Sequence, residues 1–536
     1  MSYSPAPHLF LIAMDGPMSL DNSKCFVADS ATMTQPSSTT TWMLVGVCGA
    51  GMHSLCSLLL SNPNIRVVGT DSDDDALMRL QRKFGERFVA IPWSATIRPG
   101  AISTIQQAVH SLAISPSSPP LVALASHGIT SQPLPEALRS LLGKQRQICV
   151  AGTHGKSTTT AMISWILRQS GESAPTFLGA EWQGFEATKS KPVSDNTAAS
   201  ELAVIESCEY RNTFLSYSPT VAVVTSVETD HFDWFISETE QTTAFQKFVR
   251  SIPVEGCLVI NGDSAVAKAI SSSAACRVVE FTSGNSDTQS REVNNTEGDH
   301  RACWAVSNVL PPQFLSAEET SAIQSRFRQD FVLRHGHESF EVTLGQPGVH
   351  NCENATAAIL ATMAVGIRPQ QAAECLRSFP GICRRFEYRG NWRGIHWIDD
   401  YAHHPGAIRA TLETARQVFR GHRLIAVFEP HQLSRTAALF SEFCDALSLA
   451  DEALVLPVLP AREIATTAMC LKTSGQLVRR INHDRIRAFL MTNLDQVQGR
   501  LDHSARPGDV VITMGAGRTH QIHDENYRRL QRDFAA

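Results

Sequence analysis

The sequence predicts an α/β fold divided among three domains, and three observations lead there. Its 536 residues exceed what one hydrophobic core serves, at about 150 residues per domain. Short apolar runs of strand length recur along the chain and end on glycine or an acidic residue. Helical stretches alternate with those runs, which is the rhythm of parallel sheets covered by helices. Hydrophobic residues make up 43% and charged residues 18%, so each domain can bury a core. The formal net charge of −5 lacks the basic excess of a nucleic-acid or membrane-surface binder, and neither partner is expected. Thirteen cysteines are scattered with no CxxC pair, which argues against a disulfide framework and points to buried thiols in a reducing cytoplasm.

The elements follow in order. Residues 1–40 read as a disordered extension: HLFLIAM is too short to span a membrane, no basic segment precedes it, and SATMTQPSSTTT is polar. Residues 41–147 open with the strand TWMLVGV, the turn GAGM and the helix SLCSLLL, which Asn62 and Pro63 stop. IRVVGTD and LVALAS read as the next strands, giving a Rossmann-like N-terminal domain. Residues 148–378 form a second unit. Its strand ICVAG leads into a helix near Lys156, AVIES and TVAVVTSV are further strands, and 282–301 is a polar surface loop. FEVTL and a helix around NATAAILATMAV close it. Residues 379–536 carry IHWIDD, RLIAVFEP, EALVLPV and DVVITMG between helical stretches, a second Rossmann-like parallel unit.

The strongest local motif is Gly152-Thr153-His154-Gly155-Lys156-Ser157-Thr158, set between a strand and a helix. The glycines let backbone N–H groups turn inward on a polyphosphate, and the helix N-terminus adds partial positive charge. Lys156 can neutralise the β- and γ-phosphates and the Ser157 hydroxyl can ligate Mg²⁺, so the unit reads as P-loop ATPase-like. Val150 stands where the first glycine of the full phosphate-loop spacing would fall. Gly46, Gly49 and Gly51 follow the first strand, with Ala50 between the last two, and Asp71 lies 20 residues after Gly51. That pattern suits a diphosphate, a dinucleotide or a tight strand–helix turn equally. Glu206 and Glu209, and then Asp230, His231 and Asp233, follow apolar strands, where a parallel sheet faces its ligand. Asp399, Asp400, His403 and His404 do so again, and Arg435 offers a fork for a carboxylate.

Taken together these motifs resemble the Mur ligases. GTHGKSTTT, ESCEYRNTFLSYSP, TSVETDHFDWF, PGVHNCENATAA, GICRRFEYRG, IDDYAHHP and AVFEPHQLSR occur in that family's order, with VGVCGAGM near the start, over residues 42–518. The resemblance implies a three-domain ATP-dependent ligase of peptidoglycan precursor synthesis, a cytoplasmic monomer or homodimer. It implies that L-alanine is joined to UDP-N-acetylmuramate through an acyl phosphate. By the same resemblance Gly49, Ala50 and Gly51 cradle the UDP diphosphate. Lys156 holds phosphates, Ser157 and Glu206 hold one Mg²⁺, and His231 helps with a second. Asn351 and Asn354 meet the adenine end, Arg385 and Asp400 reach the nucleotide, and His403 and Arg435 contact the amino acid. The chain departs from the pattern at Ser157, where threonine is usual, at ESCEY, and at LPVLPAREIA. Three rivals remain: a ligase attaching a ready-made peptide to the same UDP-sugar, a non-catalytic nucleotide sensor, and an NAD-dependent oxidoreductase.

Overall fold

The computed structural model describes residues 39–93, 102, 104–172, 174–180, 182, 201–232, 234–283, 301–316, 319, 325–461, 463–483, 487–526 and 528. The expected N-terminal extension lies outside them apart from Thr39 and Thr40. So does the expected polar loop, apart from its ends at Thr282, Ser283 and Arg301. Three sheets carry the fold.

The first sheet is wholly parallel. Its strands are β1 (Thr40–Val45), β2 (Ile65–Asp71), β3 (Phe88–Pro92), β4 (Ile105–His110) and β5 (Ser131–Pro133), in the order β3-β2-β1-β4-β5. Helices α1 (Ala50–Leu60), α2 (Asp74–Phe84), α3 (Pro119–Ser126) and α4 (Leu134–Leu142) connect and cover it. LVALAS is not the third strand; it lies in α3. Pro119 and Pro120 occupy the first helical positions, where a fixed φ and a missing N–H are no handicap. Leu121 and Leu124, one helical turn apart, then pack beside Met43 and Val45. The strand beside β1 is instead IQQAVH, whose glutamines interrupt the apolar run that marks the other strands.

The second sheet has ten strands. They are β6 (Arg146–Ala151), β7 (Thr176–Phe177), β8 (Leu202–Glu206), β9 (Pro219–Val224), β10 (Cys257–Asn261), β11 (Arg277–Ser283), β12 (Arg301–Ser307), β13 (Gln313–Phe314), β14 (Phe327–His335) and β15 (Glu338–Leu344). The order is β13-β14-β12-β11-β10-β9-β6-β8-β7, with β15 also on β14. From β7 to β12 all pairs are parallel, and β13, β14 and β15 pair antiparallel. Helices α5 (Lys156–Gln169), α8 (Val349–Met363) and α9 (Pro369–Leu376) pack together on one face, and α6 (Glu238–Arg250) and α7 (Ala265–Ser271) cover the other.

The third sheet runs β16-β17-β21-β18-β19-β20, from β16 (Glu387–Trp392), β17 (Ile395–Asp400), β18 (Leu424–Phe428), β19 (Glu452–Val455), β20 (Arg487–Leu490) and β21 (Val510–Met514). It is covered by α10 (Pro405–Val418), α11 (Leu433–Ala438), α12 (Phe440–Leu447), α13 (Thr467–His483) and α14 (Leu494–Ser504). The expected all-parallel sheet is corrected at β16, which is antiparallel to β17. Arg393 and Gly394 close that hairpin with φ of 54° and 75°, the positive pair that a two-residue turn between twisted strands requires. No disulfide joins the described cysteines, seven of which are buried. No described helix is long and apolar enough to cross a membrane.

Gly69 in β2 shows how tightly the first sheet is built. A Cβ there would lie 2.4 Å from the buried Phe88 ring and 3.0 Å from Val47. Gly69→Ala is therefore expected to lower stability to urea by about 1–3 kcal/mol. Adding Phe88→Leu should restore part of that loss, and an unchanged urea midpoint for the single variant would contradict it.

Candidate active site

The C-terminal ends of β1, β6, β8, β9 and β17 carry the side chains in question. The loop after β6 is the most constrained. Gly155 flanks the start of α5 with φ of 80°, and a Cβ on it would lie 2.2 Å from Asn354 Oδ1. Only glycine admits both the left-handed backbone and that approach. Thr159 Oγ1 donates to Asn354 Oδ1 (3.3 Å), Asn354 Nδ2 donates to Asn351 Oδ1 (3.2 Å), and Asn351 Nδ2 donates to Pro347 O (2.8 Å). Asn351 and Asn354 thus brace the loop from α8. Thr153 Oγ1 donates to Glu228 O (3.0 Å), and the Ser226 hydroxyl accepts the His154 amide (2.9 Å). Thr158 is buried in the first turn of α5.

Around this loop the charges are paired. Lys156 Nζ donates to the carbonyls of Gly152 and Thr153 and lies 3.1 Å from Glu209 Oε2. Glu209 is fully buried and lies 3.6 Å from His231 Nε2 through its other oxygen. Burial alone would raise the Glu209 carboxyl and lower the Lys156 ammonium. Their mutual attraction outweighs it, taking Glu209 down to about 2 and Lys156 up to about 12. His231 behaves alike: burial lowers it, while Cys208, Glu209 and Asp230 together carry it up to about 10. Its backbone is left-handed, with φ of 58°. Ser157 Oγ donates to Glu206 Oε1 (2.8 Å), and the Gly179 amide donates to Glu206 Oε2 (2.7 Å).

The glycine turn of the first sheet faces the same space. Gly49 precedes α1, and Ala50, Gly51, Gly179, Glu206, Tyr210 and Arg211 line one cleft. Asp71 is not among its lining residues. Its carboxylate instead accepts the amides of Cys48 (2.8 Å) and Asp73 (3.2 Å), and so fixes the turn from behind. A second cleft of about 520 Å³ is lined from all three sheets, by Ala50, Arg79, Gly179, Arg384, Arg385 and Tyr401 among others.

The third sheet closes over this space. Asp400 accepts the amides of Phe386 (2.9 Å) and Ala402 (2.8 Å); burial pushes it up, and Arg385 acts against that. Arg384 and Arg385 sit over the Tyr401 ring at 5.0 and 5.1 Å. His403 Nδ1 donates to Tyr401 O (2.8 Å), which fixes its tautomer, and its ring faces His431. Arg435, 2% exposed, does grip a carboxylate, but that of Asp230: Nε and Nη2 reach Oδ1 at 2.9 and 2.7 Å. Asp233 lies outside the described residues. Sequence reasoning did not single out Glu228, which lies 3.4 Å from His154 and 3.8 Å from His404, nor Gly179 and Arg384. It also missed the consecutive left-handed residues Arg211 and Asn212, an energetically disfavoured pair beside the cleft.

Residues 150–362 match the Mur ligase middle domain and residues 384–517 the Mur ligase, glutamate ligase domain. The UDP-N-acetylmuramate–L-alanine ligase of Nitratidesulfovibrio vulgaris is 33% identical over 474 residues, 88% of this chain and 95% of the relative. That of Renibacterium salmoninarum is 32% identical, covering 88% of this chain and 92% of the relative. Among solved structures, the UDP-N-acetylmuramate–alanine ligase of Thermotoga maritima superposes with a TM-score of 0.71 at 23% identity. It covers 92% of this chain and 99% of its own.

Replacing Glu209 by glutamine leaves two buried cations without their shared anion, and is expected to lower stability by about 3–5 kcal/mol at pH 6. Because the folded-state carboxyl lies below its ordinary value of 4.5, its contribution is complete above that pH and is lost as pH falls toward 2. Chemical denaturation of both proteins at pH 6 and pH 3 should therefore show the gap narrowing in acid. A gap independent of pH would contradict the pairing.

Proposed function

The chain belongs to the Mur ligase family, and from that premise we propose that it uses ATP to join L-alanine to UDP-N-acetylmuramate in the cytoplasm. The observation that carries the reading is that Glu206 joins two parts: its carboxylate accepts a hydrogen bond from Ser157 Oγ at the end of the phosphate loop, and it lines the cleft that Ala50 and Gly51 of the glycine turn also line. Sequence identity above 30% to alanine-adding ligases over nearly their full length supports the choice of substrates.

The reaction must bring together two anions, the lactyl carboxylate of the UDP-sugar and the γ-phosphate of ATP. Lys156 neutralises charge on the β- and γ-phosphates, and the inward-turned loop amides share it. Glu206 and Ser157 form a hard-oxygen pair 2.8 Å apart, held by the Gly179 amide, and so fit Mg²⁺. Bound there, Mg²⁺ supplies charge neutralisation between phosphate and carboxylate. His231 is the candidate for a second ion, and it must first give up the proton that Glu209 now favours. The glycine turn at Gly49, Ala50 and Gly51 receives the UDP diphosphate. Arg385, Asp400 and His403 approach from the third sheet, where domain closure excludes water from the acyl phosphate. His403 presents an unprotonated Nε2 suited to accept a proton from the incoming ammonium group. Arg435 orders this region through Asp230, and contact with the amino-acid carboxylate would require it to share that fork.

Pure protein with ATP, Mg²⁺ and UDP-N-acetylmuramate is expected to release phosphate with L-alanine and not with a murein tripeptide; the reverse preference would sink the substrate assignment. Lys156→Ala should reduce turnover by about 10²-fold or more, as loss of one preorganised charge does. UDP-sugar binding, followed by calorimetry, should stay nearly intact. Near-normal turnover in that variant would mean that ATP binds elsewhere. His231→Ala should raise the Mg²⁺ concentration needed for half-maximal rate, and an unchanged Mg²⁺ dependence would remove it from the metal site.

A further inference from the structure

One cluster beside the cleft contains side chains to which that chemistry gives no role, although His154 lends its backbone to the phosphate loop. His154 of the phosphate loop, Glu228 after β9 and His404 before α10 bring Nε2, a carboxylate oxygen and Nδ1 within 4.8 Å of one another. Glu228 Oε2 lies 3.4 Å from His154 Nε2 and 3.8 Å from His404 Nδ1. The three atoms converge on one point: the position a Cβ on Gly406 would take is 3.3 Å from Glu228 Oε2, 3.6 Å from His404 Nδ1 and 3.8 Å from His154 Nε2. The two imidazoles pack at 4.8 Å between centroids. His154 Nε2 and His404 Nε2 are both buried without an aligned hydrogen bond, and His404 as a residue is 6% exposed. The Gly406 amide donates to His404 Nδ1 at 3.4 Å, so Nδ1 is the unprotonated ring nitrogen, and a cation there would take the place of this long cap hydrogen bond.

We propose that His154, Glu228 and His404 form a binding site for a zinc-class divalent cation, separate from the Mg²⁺ positions, that ties the phosphate loop to the first turn of α10. Two imidazoles and one carboxylate are the donor set of Zn²⁺ and its neighbours in the transition series. Mg²⁺ seeks an octahedral shell of oxygens and does not fit it. Zn–N and Zn–O bonds of about 2.0–2.2 Å bring tetrahedral ligands to about 3.3 Å apart, so no pair need draw in by more than about 1.5 Å. Three protein ligands leave an open position for water or a substrate oxygen. Because His404 belongs to the third sheet's covering helix and the other two ligands to the second sheet, the ion would cross between them.

The test needs neither ATP nor turnover, so its outcome is independent of the ligase assignment. Chelator-treated full-length protein is dialysed against Zn²⁺ in excess Mg²⁺, and bound metal is counted; Co²⁺ is then used to read the visible ligand-field absorption. One equivalent is expected, with affinity at least tenfold weaker in Glu228→Gln and in His404→Ala, and unchanged in a Cys208→Ser, His231→Ala double variant. Should His404→Ala unfold, Glu228→Gln still decides, because that side chain is half-exposed and its loss leaves the fold in place. Failure to take up Zn²⁺, full affinity in Glu228→Gln, or loss of the ion only in the Cys208/His231 variant would overturn the site.

Discussion

Everything at the centre of this molecule is arranged about one carboxylate with no contact with solvent. Glu209 meets Lys156 on one side and His231 on the other, and neither cation could stay charged at that depth alone. The carboxylate lies just after β8, the lysine opens α5, and the histidine follows β9. The register of three parallel strands therefore decides whether the charges meet at all. A slip of one residue in β8 would send Glu206 and Glu209 away from the loop and leave two cations buried and bare.

The same economy of placement governs the third sheet. Asp230 stands one residue before His231 yet belongs electrostatically to Arg435, so two adjacent side chains anchor different parts of the structure. Asp400 uses both oxygens on amides of its own lobe. Beside these polar contacts the second and third lobes share an apolar seam, in which Phe314 and Phe327 pack against Phe386, Tyr388 and Phe419.

Much of this was legible in the sequence because strand, turn and helix signals agreed locally. ICVAG before GTHGKS and AVIES before Glu209 carry continuous apolar runs with a functional residue at the end, and periodicity finds those. It misreads LVALAS, where five apolar residues and a serine fit a buried strand or a short helix and the preceding prolines decide. It overlooks IQQAVH, where two exposed glutamines interrupt a strand whose Ala108 and Val109 are buried on opposite faces. What no local pattern can reveal is pairing at a distance. Asp230 and Arg435 are 205 residues apart, and His154, Glu228 and His404 come from three separate loops. Asn351 and Asn354 were read by resemblance as meeting the adenine end, and the sequence carried no sign that they also hydrogen-bond to Thr159 and Pro347.

That bracing has a thermodynamic corollary. A chain of amide side chains from α8 fills the space a larger residue at 155 would need, so the loop acquires its curvature when the protein folds. Nucleotide then meets a cradle whose backbone freedom is already gone. The ordering entropy that a floppy loop would surrender on binding is charged to folding instead, and a greater share of each phosphate contact is left to appear as affinity.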